Sequence, residues 1–333
     1  MLTVAVTGAD TVLGRKVRAL VEAGPIDTSA PPDPVQVQAV DDGLSGDLKR
    51  HVEGAEVLLH LVTSEPPTPT GGTSDVEAAR RVLDAASAAG VHHVVLLSDA
   101  TVYGAWPNNP VPLTESAVLR PNPGFIYAAE RAEIERLTTE WRSAHPGTTV
   151  AVLRPVRTPG RSDWLIRALR PAPAVPELAV DPPAQFLHID DLASAVDVAH
   201  RQRLDGAFNV APDQAIPGDE VRSLTGAGPK VRLPERLADR FTTWRFRSGL
   251  GPTPPELVPY TLHPWVVAND GLRAAGWTPL VTNEEACVEA HEAGPWATMS
   301  PRRRQEIALG VAGVGLAGIT TGGALALRRW LRR

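Results

Sequence analysis

The stretch Thr7-Gly8-Ala9-Asp10-Thr11-Val12-Leu13-Gly14 (TGADTVLG) decides how this chain folds. Before it lies Leu2–Thr7, a short apolar and β-branched run with the character of a parallel strand buried on both faces. After it, Arg15–Ala23 reads as a helix. A glycine loop that ends a strand and opens a helix can cradle a phosphate. The N–H groups of a first helical turn have no intrahelical acceptor and can face an anion. Gly8 permits the tight turn, and Gly14 lets the helix pack closely on the strand. The middle position, where glycine would allow the closest phosphate approach, is Thr11; its hydroxyl is a candidate donor and its bulk a candidate obstruction. Gly8, Asp10, Thr11, Val12, Leu13 and Gly14 are therefore the expected pyrophosphate site.

Working outward, Val35–Val40, Val57–Val62, Val94–Leu97 and Val150–Leu153 read as further strands. Asp75–Ala89, closed by Gly90, and Tyr127–Trp141 read as amphipathic helices. Strands alternating with helices predict an α/β protein with a Rossmann-type, doubly wound parallel sheet that takes its ligand at the carboxyl ends of the strands. Asp41 or Asp42 follows the second strand and can accept hydrogen bonds from ribose hydroxyls. A carboxylate there repels a 2′-phosphate, so NAD is expected rather than NADP. Asp47 and Leu48 are expected to border the adenine. Beyond Pro155, prolines crowd 171–183 and 252–264, which predicts a smaller C-terminal substrate lobe of loops and short helices. The expected boundaries are 1–160 for the Rossmann domain and 161–300 for the lobe, with the chain returning to the sheet near 186–211.

The chain of 333 residues has one cysteine, so it can form no internal disulfide and no cysteine metal cluster. Arginine supplies 30 of its 33 basic residues. Residues 302–333 carry a net +6, which leaves −11 on residues 1–301; an acidic body is not a nucleic-acid surface. Residues 307–327 are uncharged and flanked by arginines, long enough at about 1.5 Å per residue to cross a hydrocarbon core. Gly318 and Gly322 form a GxxxG pair. The expectation is a C-terminal hydrophobic helix that anchors a cytoplasmic domain to a membrane. No basic and apolar leader precedes Leu2.

Nine short pieces in order then resemble the extended short-chain dehydrogenase/reductases, in their NAD-dependent epimerase/dehydratase branch. They are TGADTVLG, GDL (46–48), HLV (60–62), SDATVYG (98–104), YAAER (127–131), LRP (153–155), FLHIDDLASAV (186–196), GAFNVA (206–211) and AAGWTP (274–279). The resemblance implies NAD(P) on the sheet, with Leu61, Val62 and Pro155 among its neighbours. It also implies a nucleotide-linked sugar or similar small molecule under the lobe, and dimerisation through the tyrosine-bearing helix and the helix before it. It casts Tyr127 as acid/base. An unperturbed phenol titrates near ~10 and needs a nearby cation to act as a base near neutrality.

Two positions depart from the family pattern. The family's lysine, four residues after the tyrosine, is Arg131, which can stabilise a phenolate or grip ribose but relays protons poorly. The family's Ser or Thr is Asp99, which as a carboxylate only accepts hydrogen bonds and disfavours a neighbouring phenolate. Ser98 should face away, so Thr101 is the better stand-in donor. Arg154 is read equally as a nicotinamide neighbour or a structural residue. His188, Asp190 and Asp191 are expected to anchor the lobe, and Trp265, Trp277 and Trp296 to pack it. His92 and His93 are expected in a surface turn, and no metal site is expected. Two readings follow: an NAD-dependent epimerase, dehydratase or reductase, or a non-catalytic NAD-binding sensor or scaffold at the membrane.

Overall fold

The computed structural model describes residues 2–24, 35–40, 48–61, 75–176, 180–227 and 231–291. Its strands are β1 (Leu2–Thr7), β2 (Val35–Val40), β3 (Val57–His60), β4 (His93–Leu97), β5 (Thr149–Pro155), β6 (Ala174–Pro176), β7 (Gly206–Val210) and β8 (Val231–Leu233). The first-half helices are α1 (Val12–Ala23), α2 (Leu48–Val52), α3 (Asp75–Ala89) and α4 (Ile126–Ala144). The second half adds α5 (Asp163–Ala168), α6 (Ile189–Arg201), α7 (Gly218–Leu224), α8 (Glu235–Arg247), α9 (Val258–Leu262), α10 (Asp270–Ala274) and α11 (Asn283–Ala290).

Six strands form one parallel sheet in the order β2-β1-β3-β4-β5-β7. The side-chain period of two sends alternate residues to opposite faces. Val4, Val6, Val57, Leu59, Val95 and Leu97 face one apolar layer with Val17 and Val21 of α1 and Leu192 and Val196 of α6. Ala5, Leu58, Val94 and Leu96 face the other, with Ala79, Val82 and Ala86 of α3 and Ile134 of α4. Both faces are covered, which explains why the strands read as continuous apolar runs. Strand order reverses at β1, whose neighbours are β2 and β3, so the ligand crevice lies beyond Thr7 and His60.

The second half is less regular. β6 and β8 pair in a separate two-stranded ribbon. Asp191 of α6 accepts from the amides of Leu280 (2.8 Å) and Val281 (3.0 Å), tying the segment before α11 to α6. His188 caps α6 and reaches Glu289 at 3.1 Å, while Asp190 pairs with Lys16 of α1. Trp265 and Trp277 are buried in the core. His93 corrects the expectation of a surface turn: it opens β4, is fully buried, and bonds Thr149 Oγ1 (2.8 Å) and the Ala199 carbonyl (3.1 Å). Residues 307–327 and Trp296 lie outside the described residues; among those described, no helix is long and apolar enough to cross a membrane.

Burial pushes His60, His93 and His200 down from 6.5 to about 4 each. The folded chain therefore holds them neutral where the unfolded chain would protonate them. Stability should be full above pH 6.5 and fall as the pH drops toward 4. Each histidine contributes up to about 1.4 kcal/mol per pH unit to that slope. Urea unfolding measured across this window checks it, and His93→Gln should flatten the slope.

Candidate active site

The loop after β1 is built as its glycines require. Gly8 adopts φ +73°, a left-handed conformation that favours glycine. A Cβ at Gly14 would lie 2.0 Å from the Gly8 carbonyl oxygen, so no other residue lets α1 start this close to β1. The helix begins at Val12, three residues earlier than the apolar pattern predicts, because Thr11 is its N-cap. Beside the two readings of Thr11, as phosphate donor or as obstruction, stands this capping role. Its hydroxyl gives its proton to the Gly8 carbonyl (2.8 Å) and accepts from the Gly14 amide (3.0 Å). The amides of Val12 and Leu13, in the first turn, have no intrahelical acceptor and suit an anion. Asp10 is exposed, with its carbonyl held by Arg15. The pyrophosphate cradle of a dinucleotide therefore fits this loop.

Of the other expected cofactor neighbours, Leu61 follows β3, and its amide donates to Thr7 Oγ1 (3.2 Å). Thr7 Oγ1 also bonds His60 Nδ1 (2.8 Å). Pro155 ends β5 beside Val210. Leu48 opens α2 and is buried with Val40 and Val52 in the core. Asp41, Asp47 and Val62 lie outside the described residues.

The four expected catalytic residues lie together. Tyr127, in the first turn of α4, donates to Asp99 Oδ2 at 3.4 Å. Asp99 caps the 3₁₀ turn Ala100–Tyr103 by accepting from the Thr101 amide at 2.9 Å. Thr101 contributes its amide to Asp99, and its buried hydroxyl has no partner among the described residues. Ser98 faces away, as strand alternation requires, and donates to Glu135 on α4. Arg131 lies over the Tyr127 ring, 5.0 Å from its centroid, but its charge is taken up by Asp75 at the start of α3. The structure thus gives the Arg131 charge a protein partner that the sequence did not reveal.

Arg161, absent from the sequence expectations, completes the cluster. It donates to Asp99 Oδ2 at 3.2 Å and to the Ser98 carbonyl at 2.9 Å. The Asp99 charge is thereby matched, and the expected repulsion between that carboxylate and a phenolate is offset. Trp164 sets its ring edge against Tyr127 at 5.2 Å, and Phe125 lies 5.8 Å away. His60 also feels Arg131, which adds to burial in lowering it to about 4. Arg154 proves structural: it chelates Glu135 (2.6–3.1 Å) and donates to Tyr103 (2.6 Å), which in turn donates to Asn209 (2.7 Å). Among the described residues no group of acids, histidines and cysteine could hold a metal.

Residues 47–211 match the family model of the NAD dependent epimerase/dehydratase family. Solved structures share this chain's fold. MoeE5 in complex with UDP-glucuronic acid and NAD is 20% identical, with 86% of this chain and 97% of that one covered at a TM-score of 0.60. The UDP-glucose 4-epimerase of Thermus thermophilus, complexed with NAD, is 20% identical over 87% and 97% at 0.57. A short-chain dehydrogenase/reductase superfamily protein from Agrobacterium tumefaciens with bound NAD is 20% identical over 93% and 99% at 0.60. No match was found among curated protein sequences.

Two outcomes test this geometry. Gly14→Ala should cost about 1–3 kcal/mol through the clash with Gly8, as read by urea unfolding. Arg161→Met strands a buried Asp99 carboxylate and should cost about 3–5 kcal/mol, most of it recovered in the double variant Asp99→Ser/Arg161→Met.

Proposed function

We propose that this chain is an NAD-dependent epimerase, dehydratase or reductase acting on a nucleotide-linked sugar or a related small molecule, with Tyr127 as the acid/base. The carrying observation is the bond from the Tyr127 hydroxyl to Asp99 at the carboxyl end of β4, where the ligand crevice of a doubly wound sheet opens. The family match of residues 47–211 and the nucleotide sugars and NAD held by MoeE5 and other neighbours support the substrate and cofactor classes. The Gly8–Gly14 loop would hold the pyrophosphate, and the Asp41-Asp42 pair after β2 favours NAD over NADP. NAD, when bound, would supply the hydride acceptor for oxidation of a substrate alcohol, and its reduced form the hydride donor for the reverse step.

The protein's own part is to hold and move one proton. Tyr127 carries it on its phenolic oxygen, and Asp99 orients that oxygen by accepting from it. Arg161 balances the Asp99 charge, and Arg131 lies over the ring. Both guanidinium groups already meet a carboxylate, so neither acts as an unbalanced cation drawing the proton off. In the reducing direction Tyr127 would give its proton to a substrate oxygen while the reduced cofactor gives the hydride, and in the oxidising direction it would take that proton back.

A second reading is an NAD-binding protein without turnover. It is favoured by the closure of the cluster: Tyr127, Asp99 and Arg131 are at most 2% exposed and engage one another or Asp75. Calorimetric titration with NAD and NADH, followed by a nucleotide-sugar panel monitored through reduced-cofactor absorbance and product NMR, separates the two. The enzyme reading expects turnover that Tyr127→Phe lowers by about 10²–10⁴-fold while cofactor binding persists. Binding without turnover, or turnover unaffected by Tyr127→Phe, overturns it.

A further inference from the structure

Helix α8 lies on the C-terminal lobe, and its two sides differ. On the inner side Ala238 is buried, and Thr242 and Arg245 are half-buried. The helical repeat puts Arg236, Leu237, Arg240, Trp244 and Arg247 on the opposite side, and all of them are exposed. A lone exposed apolar side chain is ordinary on a protein surface. Here such side chains are gathered. Of the twelve exposed large apolar side chains among the described residues, five fall between 231 and 250: Val231, Leu237, Trp244, Phe246 and Leu250. A cluster of this kind marks a contact surface.

The charge of the same stretch says what it contacts. Residues 230–250 hold six basic and two acidic residues, a net +4, in a body (1–301) that carries −11. Arginines and aromatic rings interleave along α8. Arg245 lies 5.8 Å from the Phe241 centroid, and that ring is 5.9 Å from Trp244. The 13 residues of α8 run about 20 Å, too short to cross a hydrocarbon core of about 30 Å. A helix with Trp and Leu beside arginines instead suits the plane of a lipid interface. Its apolar side chains enter the headgroup boundary, and its guanidinium groups meet lipid phosphates. A nucleic acid asks for a broad basic face, which an acidic body does not offer. A bilayer asks only for one convex ridge. The end of the chain shares the pattern in sequence: residues 302–333 carry +6 around the uncharged run 307–327. Both segments have the sign of charge that an anionic leaflet attracts.

We propose that the outer side of α8 docks the C-terminal lobe on an anionic lipid bilayer. The helix lies in the headgroup plane, with Leu237 and Trp244 inserted and Arg236, Arg240 and Arg247 on lipid phosphates. This contact is separate from the sheet crevice and does not depend on a membrane-spanning segment.

The test uses the full chain and vesicles containing brominated lipid, either phosphatidylcholine alone or equimolar phosphatidylcholine and phosphatidylglycerol. Quenching specific to Trp244 is the difference between the parent and Trp244→Phe, so insertion elsewhere in the chain does not enter. The mixed vesicles should quench Trp244 and the neutral ones should not. The triple variant Arg236→Gln/Arg240→Gln/Arg247→Gln should raise the lipid concentration required by about a hundredfold, and added salt should act in the same sense. Leu237→Ser should raise it by about tenfold. These side chains are exposed, so urea midpoints should match the parent. Without vesicles, acrylamide should reach Trp244. Protection of Trp244 there would mean that this side is already covered by the chain itself or by a second copy, and overturns the proposal. So do equal quenching by neutral vesicles and absence of quenching by mixed ones. Binding of a single-stranded oligonucleotide that the arginine variant abolishes, without quenching by lipid, overturns it in favour of nucleic acid.

Discussion

A buried guanidinium is tolerated when a carboxylate meets it, and this rule organises the carboxyl edge of the sheet. Arg154 and Glu135 join β5 to α4, and through Ser98, Tyr103 and Asn209 they reach β4 and β7. Arg161 and Asp99 tie the segment after β5 to the end of β4. Arg131 and Asp75 join α4 to α3. Each pair crosses between elements that the apolar layers alone would leave free to slide. The polar contacts thus set the position of Tyr127 as much as its helix does.

The same rule changes the chemistry of the site. A lone lysine beside a catalytic phenol adds an unbalanced charge and favours the phenolate. Here the corresponding position is Arg131, closed by its own acid, and the serine position is Asp99, closed by its own base. The substitutions at 99 and 131 look like two losses when each is considered alone. With Asp75 and Arg161 they form two neutral pairs around one tyrosine.

Much of the fold was legible because it is written in local pattern. The strand runs, the glycine loop and the helix of Tyr127 each announce themselves within a few residues. Even the early start of α1 had a local sign, since a threonine ahead of an apolar turn is an N-cap candidate. The pairings were not legible. Arg131 finds Asp75 56 positions away, and Arg161 finds Asp99 62 positions away. No spacing or composition links those residues, and Arg161 lies in a segment whose prolines and irregular pattern carried no motif. His93 was misplaced for a related reason: next to His92 it looks polar, yet its burial depends on α6 lying across the end of β4.

Backbone preference and hydrophobic period are properties of neighbouring residues, so the amino-acid order settled the parallel sheet, the glycine loop and the place of Tyr127 along α4. Which charge neutralises which, and where the Thr11 hydroxyl sends its proton, depend on distances across the folded chain. Electrostatics and desolvation act through space and change steeply over a few ångströms. They took their values only when packing brought β4, β5, α3 and α4 to a common edge.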